Sequence, residues 1–401
     1  MTAKDLLGYQ FGNAESIRRV AGSKYLLPVG TLLVLITSIP RNYDQTFIGE
    51  VPWWPLIPLV SSFVSGSFVF YVLKHGFIKE ADGKFSRKYW MFLGLFWMTA
   101  PIAWLYGIPV ERWMTARSAA VANLWLMGIV SIWRVALFSR VMSVIYEVPW
   151  LRTGGWVLLA ASLEVAAVLF FSGFGEAIGR GMAGMRNSPE QNLIIGVLGT
   201  VFWTAVIAVP LLLIVLKSAL RFPGKAKISE LPECNKTPWL LLLCIAVIWG
   251  ALAILPQQEL AKEWKYRALL EGRKPGEALA YLNTLEAKDW PPARSFRPDP
   301  YEFEVWRLFP DLMEQVNGSE KPWVQEKLLW VFERTFDHRF TRYKEEDYLK
   351  ILKGIEKFES GEKWIRESEV RWKENPMILG RADWTNLVSY LEGKGVDTTR
   401  E

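Results

Sequence analysis

The chain has 401 residues, 51% of them apolar and 22% charged, with a formal net charge of +6. Those averages suit an ordinary globular enzyme, but their distribution excludes one: residues 1–255 carry 22 Lys and Arg against 13 Asp and Glu and are broken by seven long apolar runs, whereas residues 256–401 carry 25 against 28 and hold no such run. Two histidines and two cysteines exclude a conventional zinc site, a multi-bridge disulfide framework and an iron–sulfur cluster built from the chain's own side chains, so no metal or cofactor is expected.

A membrane-spanning helix needs about 20 predominantly apolar residues, because only a helix satisfies its own backbone hydrogen bonds in hydrocarbon. Seven segments qualify, near 25–40, 52–73, 89–110, 118–139, 155–173, 193–216 and 238–255. The first is short unless Lys24 snorkels and the helix begins near Val20, which would place Pro28 in its early turns. The segment before it is about twenty residues long and already carries Asp5 and Glu15, which argues for a retained helix rather than a signal peptide. Lys and Arg resist translocation. Sixteen of them fall before the first span and in the loops after the second, fourth and sixth, against five in the opposite loops, which predicts a cytoplasmic amino terminus. An odd number of spans then puts residues 256–401 on the far side, although five basic residues between Lys262 and Lys274 pull the other way.

The chain contains 21 tryptophans. Trp53, Trp54, Trp90, Trp150, Trp156 and Trp239 fall at span ends, where indole rings form an interface belt. Trp97, Trp104, Trp125, Trp203 and Trp249 lie deeper and are expected to pack between helices.

Two ionisable residues sit well inside predicted spans, Arg134 in the fourth and Glu164 in the fifth. Such residues are costly enough in hydrocarbon to mark a site by default. With cytoplasmic boundaries at Arg140 and Gly155 their depths are roughly 9 Å and 13 to 14 Å at about 1.5 Å per residue, which suggests a buried ion pair locking the two spans together. The bland alternatives are that Arg134 snorkels to the headgroups and that a protonated or hydrogen-bonded Glu164 fixes packing. A proton or ion relay would need more polar groups in file than Asn123, Ser131, Ser162 and Thr204 provide.

Between the fifth and sixth spans lie Gly173, Gly175, Gly179, Gly181 and Gly184. Residues 179–184 match the dinucleotide-binding fingerprint literally, but that fingerprint works only between a buried strand and a helix, and here it follows an apolar span. A hinge or close-packing surface is the better reading.

From Gln257 onward apolar residues recur at helical spacing between Pro and Gly breaks. Leu260 to Leu270 and Ala278 to Leu285 make a helix pair around a Gly-Arg-Lys-Pro-Gly turn, 290–300 is a Pro-rich linker, and helices follow at 301–316, 320–336, 344–358, 361–374 and 382–392. Asp337 and His338 sit in the most chemically loaded stretch of this tail, where a solvated, ion-paired loop outweighs a general base because no nucleophile accompanies them. Asn317 opens a glycosylation-type tripeptide, and Cys234 and Cys244 suggest no bridge.

The expectation is an all-α protein: a polytopic helical membrane bundle of about seven spans over 1–255 and a small all-α soluble domain over 256–401. The balanced charge of the tail gives no invitation to nucleic acid. The lipid bilayer is the expected surrounding, with a protein or polymer partner for the tail and no catalytic constellation. A small-solute carrier or channel using Arg134 and Glu164 is the alternative, and an intramembrane enzyme would need a partner acid that Glu164 lacks.

Overall fold

The computed structural model describes residues 1–38, 47–53, 56–76, 85–171, 189–219, 239–291, 302–339, 344–359, 361–368 and 385–394. Among them the chain is all-helical, with no extended strand. Among the described residues four helices are long and apolar enough to cross a membrane, over Leu56–Gly76, Arg117–Tyr146, Trp150–Phe171 and Asn192–Lys217. They correspond to the second, fourth, fifth and sixth runs read from the sequence. The chain divides into two compact units, with Gln257 closing the main part of the first and Gln258 opening that of the second.

The first unit begins with two short helices, α1 (Ala3–Gln10) and α2 (Ala14–Ala21). Thr2 and Asp5 form a reciprocal capping box at the start of α1, the Asp5 carboxylate accepting from the Thr2 backbone N–H at 2.7 Å and the Thr2 hydroxyl accepting from the Asp5 N–H at 3.2 Å. Gly12, at φ +72°, turns the chain, and the Asn13 side chain caps α2 by accepting from the Ser16 N–H at 3.0 Å. The Arg19 guanidinium donates back to buried Asp5 at 3.2 Å. Met1, Tyr9, Ile17 and Val20 are buried in the core of this unit, so the segment is a packed helical hairpin.

α3 (Leu26–Ser38) has 13 residues, about 20 Å at 1.5 Å per residue and short of a bilayer core. It does not reach back to Val20, because α2 ends at Gly22 and Ser23 accepts from the Tyr25 N–H at 3.2 Å. α4 (Leu56–Gly76) is followed by α5 (Phe85–Trp97). The third apolar run is not one helix. α5 stops before Pro101, which has no N–H to continue the ladder, and the chain goes on as a 3-10 helix over Ala100–Gly107. α6 (Ala116–Tyr146) and α7 (Trp150–Phe171) form an antiparallel hairpin through Glu147, which adopts φ +51°. α8 (Pro189–Ala219) packs along α7, and α9 (Trp239–Glu271) has 33 residues and carries the seventh apolar run as its first half.

Close approaches fix the directions of these helices. A Cβ built on Gly94 of α5 lies 2.7 Å from Leu26 of α3, and one on Gly30 lies 3.1 Å from Trp97, so α3 and α5 run parallel and cross at glycines. α5 and α6 run antiparallel, with Phe92 edge-on to Phe138 at one level and Thr99, just past α5, meeting Arg134 at the other. Gly155 near the start of α7 faces Leu216 near the end of α8, and Gly76 at the end of α4 meets the Trp156 ring near the start of α7.

The second unit has its own core, drawn from Tyr266 and Leu270 of α9, α10 (Pro275–Thr284), α11 (Glu302–Glu314), α12 (Pro322–Arg339), α13 (Glu345–Glu356), α14 (Gly361–Glu367) and α15 (Thr385–Gly393). Phe309, Met313, Leu328, Tyr348, Ile351 and Leu387 are buried there. The turn between α9 and α10 takes Arg273 to φ +55°, and Pro275 opens α10 where its missing N–H is harmless. Gly318, at φ +86°, turns a loop whose Asn317 and Gly318 N–H groups both donate to the buried Glu320 carboxylate at 2.9 Å.

Candidate functional site: the broken end of α5 and the intramembrane charges

Ending α5 at Trp97 leaves carbonyls without helical partners, the usual condition of a helix carboxyl terminus. The Thr99 N–H turns to Phe96 O at 3.2 Å instead of Leu95 O, and Pro101 offers no donor to Met98 O. Side chains from elsewhere fill the gap. Tyr9 donates its hydroxyl to Leu95 O at 2.6 Å, Gln10 donates its amide to Met98 O at 2.7 Å, and Thr99 donates its own hydroxyl to Phe96 O at 2.7 Å. Burial holds the Tyr9 phenol far above its ordinary pKa, so it remains a neutral donor.

Arg134 joins the same cluster. Its Nε donates to the Thr99 hydroxyl at 3.3 Å, and its guanidinium lies 5.3 Å from the centroid of the Phe96 ring. A cation beside a helix carboxyl terminus and over an aromatic face is favoured twice, each contribution about 0.3–2 kcal/mol. Two turns further along α6, Arg140 Nε donates to Gly12 O at 3.3 Å. The sequence marked Arg134 but not Tyr9, Gln10 or Thr99, and the overlooked signal was Pro101 within an apolar run.

Glu164 stands apart. Thr153 donates its hydroxyl to Ser139 O at 3.0 Å, which sets the register of α6 against α7 and puts Arg134 level with Leu158. Glu164 lies six residues beyond that level, about 9 Å along the axis. It is half-buried, four residues on from buried Ala160 and so on the same face of α7, and among the described residues no hydrogen bond or ion pair reaches it. The expected lock between Arg134 and Glu164 is therefore not formed among the described residues. Its two boundaries, Arg140 and Gly155, are not at one level, since Gly155 comes two residues after the point opposite Ser139.

The tryptophans divide differently from expectation. Trp53, Trp90, Trp150 and Trp239 are exposed as an interface belt requires, but Trp156 is buried under α4. Trp97 is buried, and half-buried Trp104 donates to the Thr37 hydroxyl. Trp125 and Trp203 are not packed between helices; they are 70% and 61% exposed on α6 and α8. Depth along a span fixes no direction around it.

Gly173, Gly175, Gly179, Gly181 and Gly184 lie outside the described residues, as do Cys234 and almost all of the Pro-rich stretch. Asp337 and His338 fall in the last turn of α12 rather than in a loop, and their side chains are outside the description. Asn317 uses its side-chain oxygen to accept from the N–H and hydroxyl of Ser319. Among the described residues no group of His, Cys, Asp and Glu is placed to hold a metal ion.

No protein-family model, curated protein or solved structure matches this chain.

Proposed function

We propose that this is an integral membrane protein whose first unit is an anchor of about seven traverses and whose second unit is displayed at the membrane to bind a protein or polymer partner. The alternating directions of α5, α6 and α7 support sequential threading, and the basic loops favour a cytoplasmic amino terminus with the second unit across a cell (inner) membrane. The observation that carries the reading is a division of labour. The second unit closes a core of its own, while Tyr9, Gln10, Thr99 and Arg134 of the first are spent on joining helices at the end of α5.

A second reading, a carrier or channel for a small solute, draws on Glu164, a half-buried carboxyl on the packed face of α7 with no described partner. One experiment separates them. A photo-reactive residue is placed at the exposed surface of the second unit, at Trp264 or Trp330, in full-length chain in native membranes. One discrete cross-linked species, lost when its partner is removed, is the expected result. No adduct from either position, together with solute uptake in proteoliposomes that Glu164→Gln abolishes, would replace the anchor by the carrier.

A further inference from the structure

The α1–α2 hairpin is seated against α6, and the end of α1 nearest its turn exposes two large apolar side chains. Leu7 and Phe11, one helical turn apart and on one side of α1, are 59% and 75% exposed. The opposite side of α1 is committed to the core through Leu6 and Tyr9. Phe11 meets the Trp133 ring edge-on at 6.1 Å between centroids, and Trp133 continues outward into Ile132, itself 73% exposed. These two belong to a helix long and apolar enough to cross a membrane. The bare surface of the hairpin is thus continuous with the bare surface of a candidate span. Whatever solvates Ile132 and Trp133 must also solvate Phe11.

The polar contacts set the depth. Gly12, next in the chain to Phe11, receives Arg140 Nε at its carbonyl. Trp133 and Arg140 are seven residues apart on α6, about 10 Å along the axis. The tip of the hairpin therefore lies between the level of Trp133 and that of Arg140, a guanidinium suited to phosphate oxygens at the headgroup level. Exposed Lys4 stands one turn before Leu7 on the same side of α1, where its four-carbon stem can carry the ammonium up to the headgroups, and exposed Glu15 lies on α2.

We infer that the α1–α2 hairpin is an interfacial element sunk into one leaflet of the bilayer, with Leu7 and Phe11 in contact with phospholipid acyl chains and Arg140 at the phosphate level. The occupant of this surface is bilayer lipid, because the patch joins a spanning helix without an intervening polar rim. Burying two such side chains in hydrocarbon stabilises the docked hairpin. The inference rests on α6 crossing the membrane.

The test uses full-length chain, with Cys234→Ala and Cys244→Ala, reconstituted into phosphatidylcholine vesicles. Nitroxide labels are attached in separate variants at Leu7→Cys, Phe11→Cys, Ile132→Cys and Glu15→Cys, and collision rates with oxygen and with a water-soluble nickel chelate are compared. Positions 7 and 11 are expected to give an oxygen-to-nickel ratio close to that at 132 and several-fold above that at 15. Leu7→Cys leaves the ring contact between Phe11 and Trp133 intact, so it reports even if Phe11→Cys loosens the hairpin. Ratios at 7 and 11 equal to that at 15, with 132 still in lipid, overturn the inference alone. Shielding of 7 and 11 from both reagents means a protein surface covers the patch and also overturns it. A water-exposed label at 132 removes the spanning reading itself.

Discussion

Replacing Tyr9 by Phe removes one oxygen atom and little volume, so the variant isolates the hydrogen bond that joins α1 to the end of α5. The Tyr9 ring is wholly buried and stays packed, so no cavity contributes. What is lost is the donor to Leu95 O, whose helical partner, the Thr99 N–H, is already committed to Phe96 O. A buried carbonyl left without a donor costs about 1–3 kcal/mol, roughly a 5- to 150-fold change in the equilibrium between docked and undocked hairpin. The chain purified in mild detergent should melt several degrees lower, at about 2–4 °C per kcal/mol for a unit of this size, and protease should cut the amino-terminal segment faster. Gln10→Leu is a graded companion. Its donor to Met98 O is lost, but so is an Oε1 atom that is buried without a hydrogen-bond partner among the described residues, so its loss should be the smaller. Identical melting and identical protease protection for Tyr9→Phe and the unaltered chain would refute the idea that the hairpin caps α5.

Arg134→Met and Thr99→Val remove two ends of one contact, so a double-mutant cycle on thermal stability should give a coupling of about 0.5 kcal/mol or more, and strict additivity would contradict the link. Gly94→Val should destabilise by about 1–3 kcal/mol or more by driving α3 from α5, whereas Gly128→Ala, where nothing lies within 4 Å, should be neutral or mildly stabilising; equal melting of the two variants would deny the glycine crossing. In the second unit, hydrogen bonds from Lys394 and from Tyr390 at 2.7 Å hold Glu356 below its ordinary value of 4.5. A depressed carboxylate stabilises the fold above its unfolded pKa, and the contribution vanishes as pH falls through the lower folded value. Glu356→Gln should therefore cost about 1 kcal/mol or less at neutral pH, given the partial exposure, and nothing at strongly acid pH. Parallel acid-unfolding curves for the two proteins would contradict this.

The helices beyond residue 300 were legible because Pro and Gly punctuate short amphipathic segments: α11, α12, α13 and α15 fall within a few residues of the segments expected. The charge-free stretches of α4 and α8 were equally plain, since few other structures tolerate them. Hydropathy failed where averaging hid a single residue. Pro101 scores little against its neighbours yet ends a helix, and the polar cluster around Arg134 exists because of that ending. Residues 1–22 were read only for their charges, which spoke against a signal peptide, although the capping box and the buried stripe of Ile17 and Val20 were present in the same letters. The pairing of Arg134 with Glu164 failed because depth was counted from charged flanks, when the α6–α7 turn sets the register.

The most direct test of a membrane-crossing bundle places one reporter ahead of Met1 and another after Glu401 in the same full-length protein and reads the side of each in intact cells, alongside alkaline carbonate extraction. Retention in the membrane pellet with the reporters on opposite sides is the predicted result. Release by carbonate contradicts the bundle outright, and reporters on one side contradict the odd number of traverses on which the display of the second unit depends.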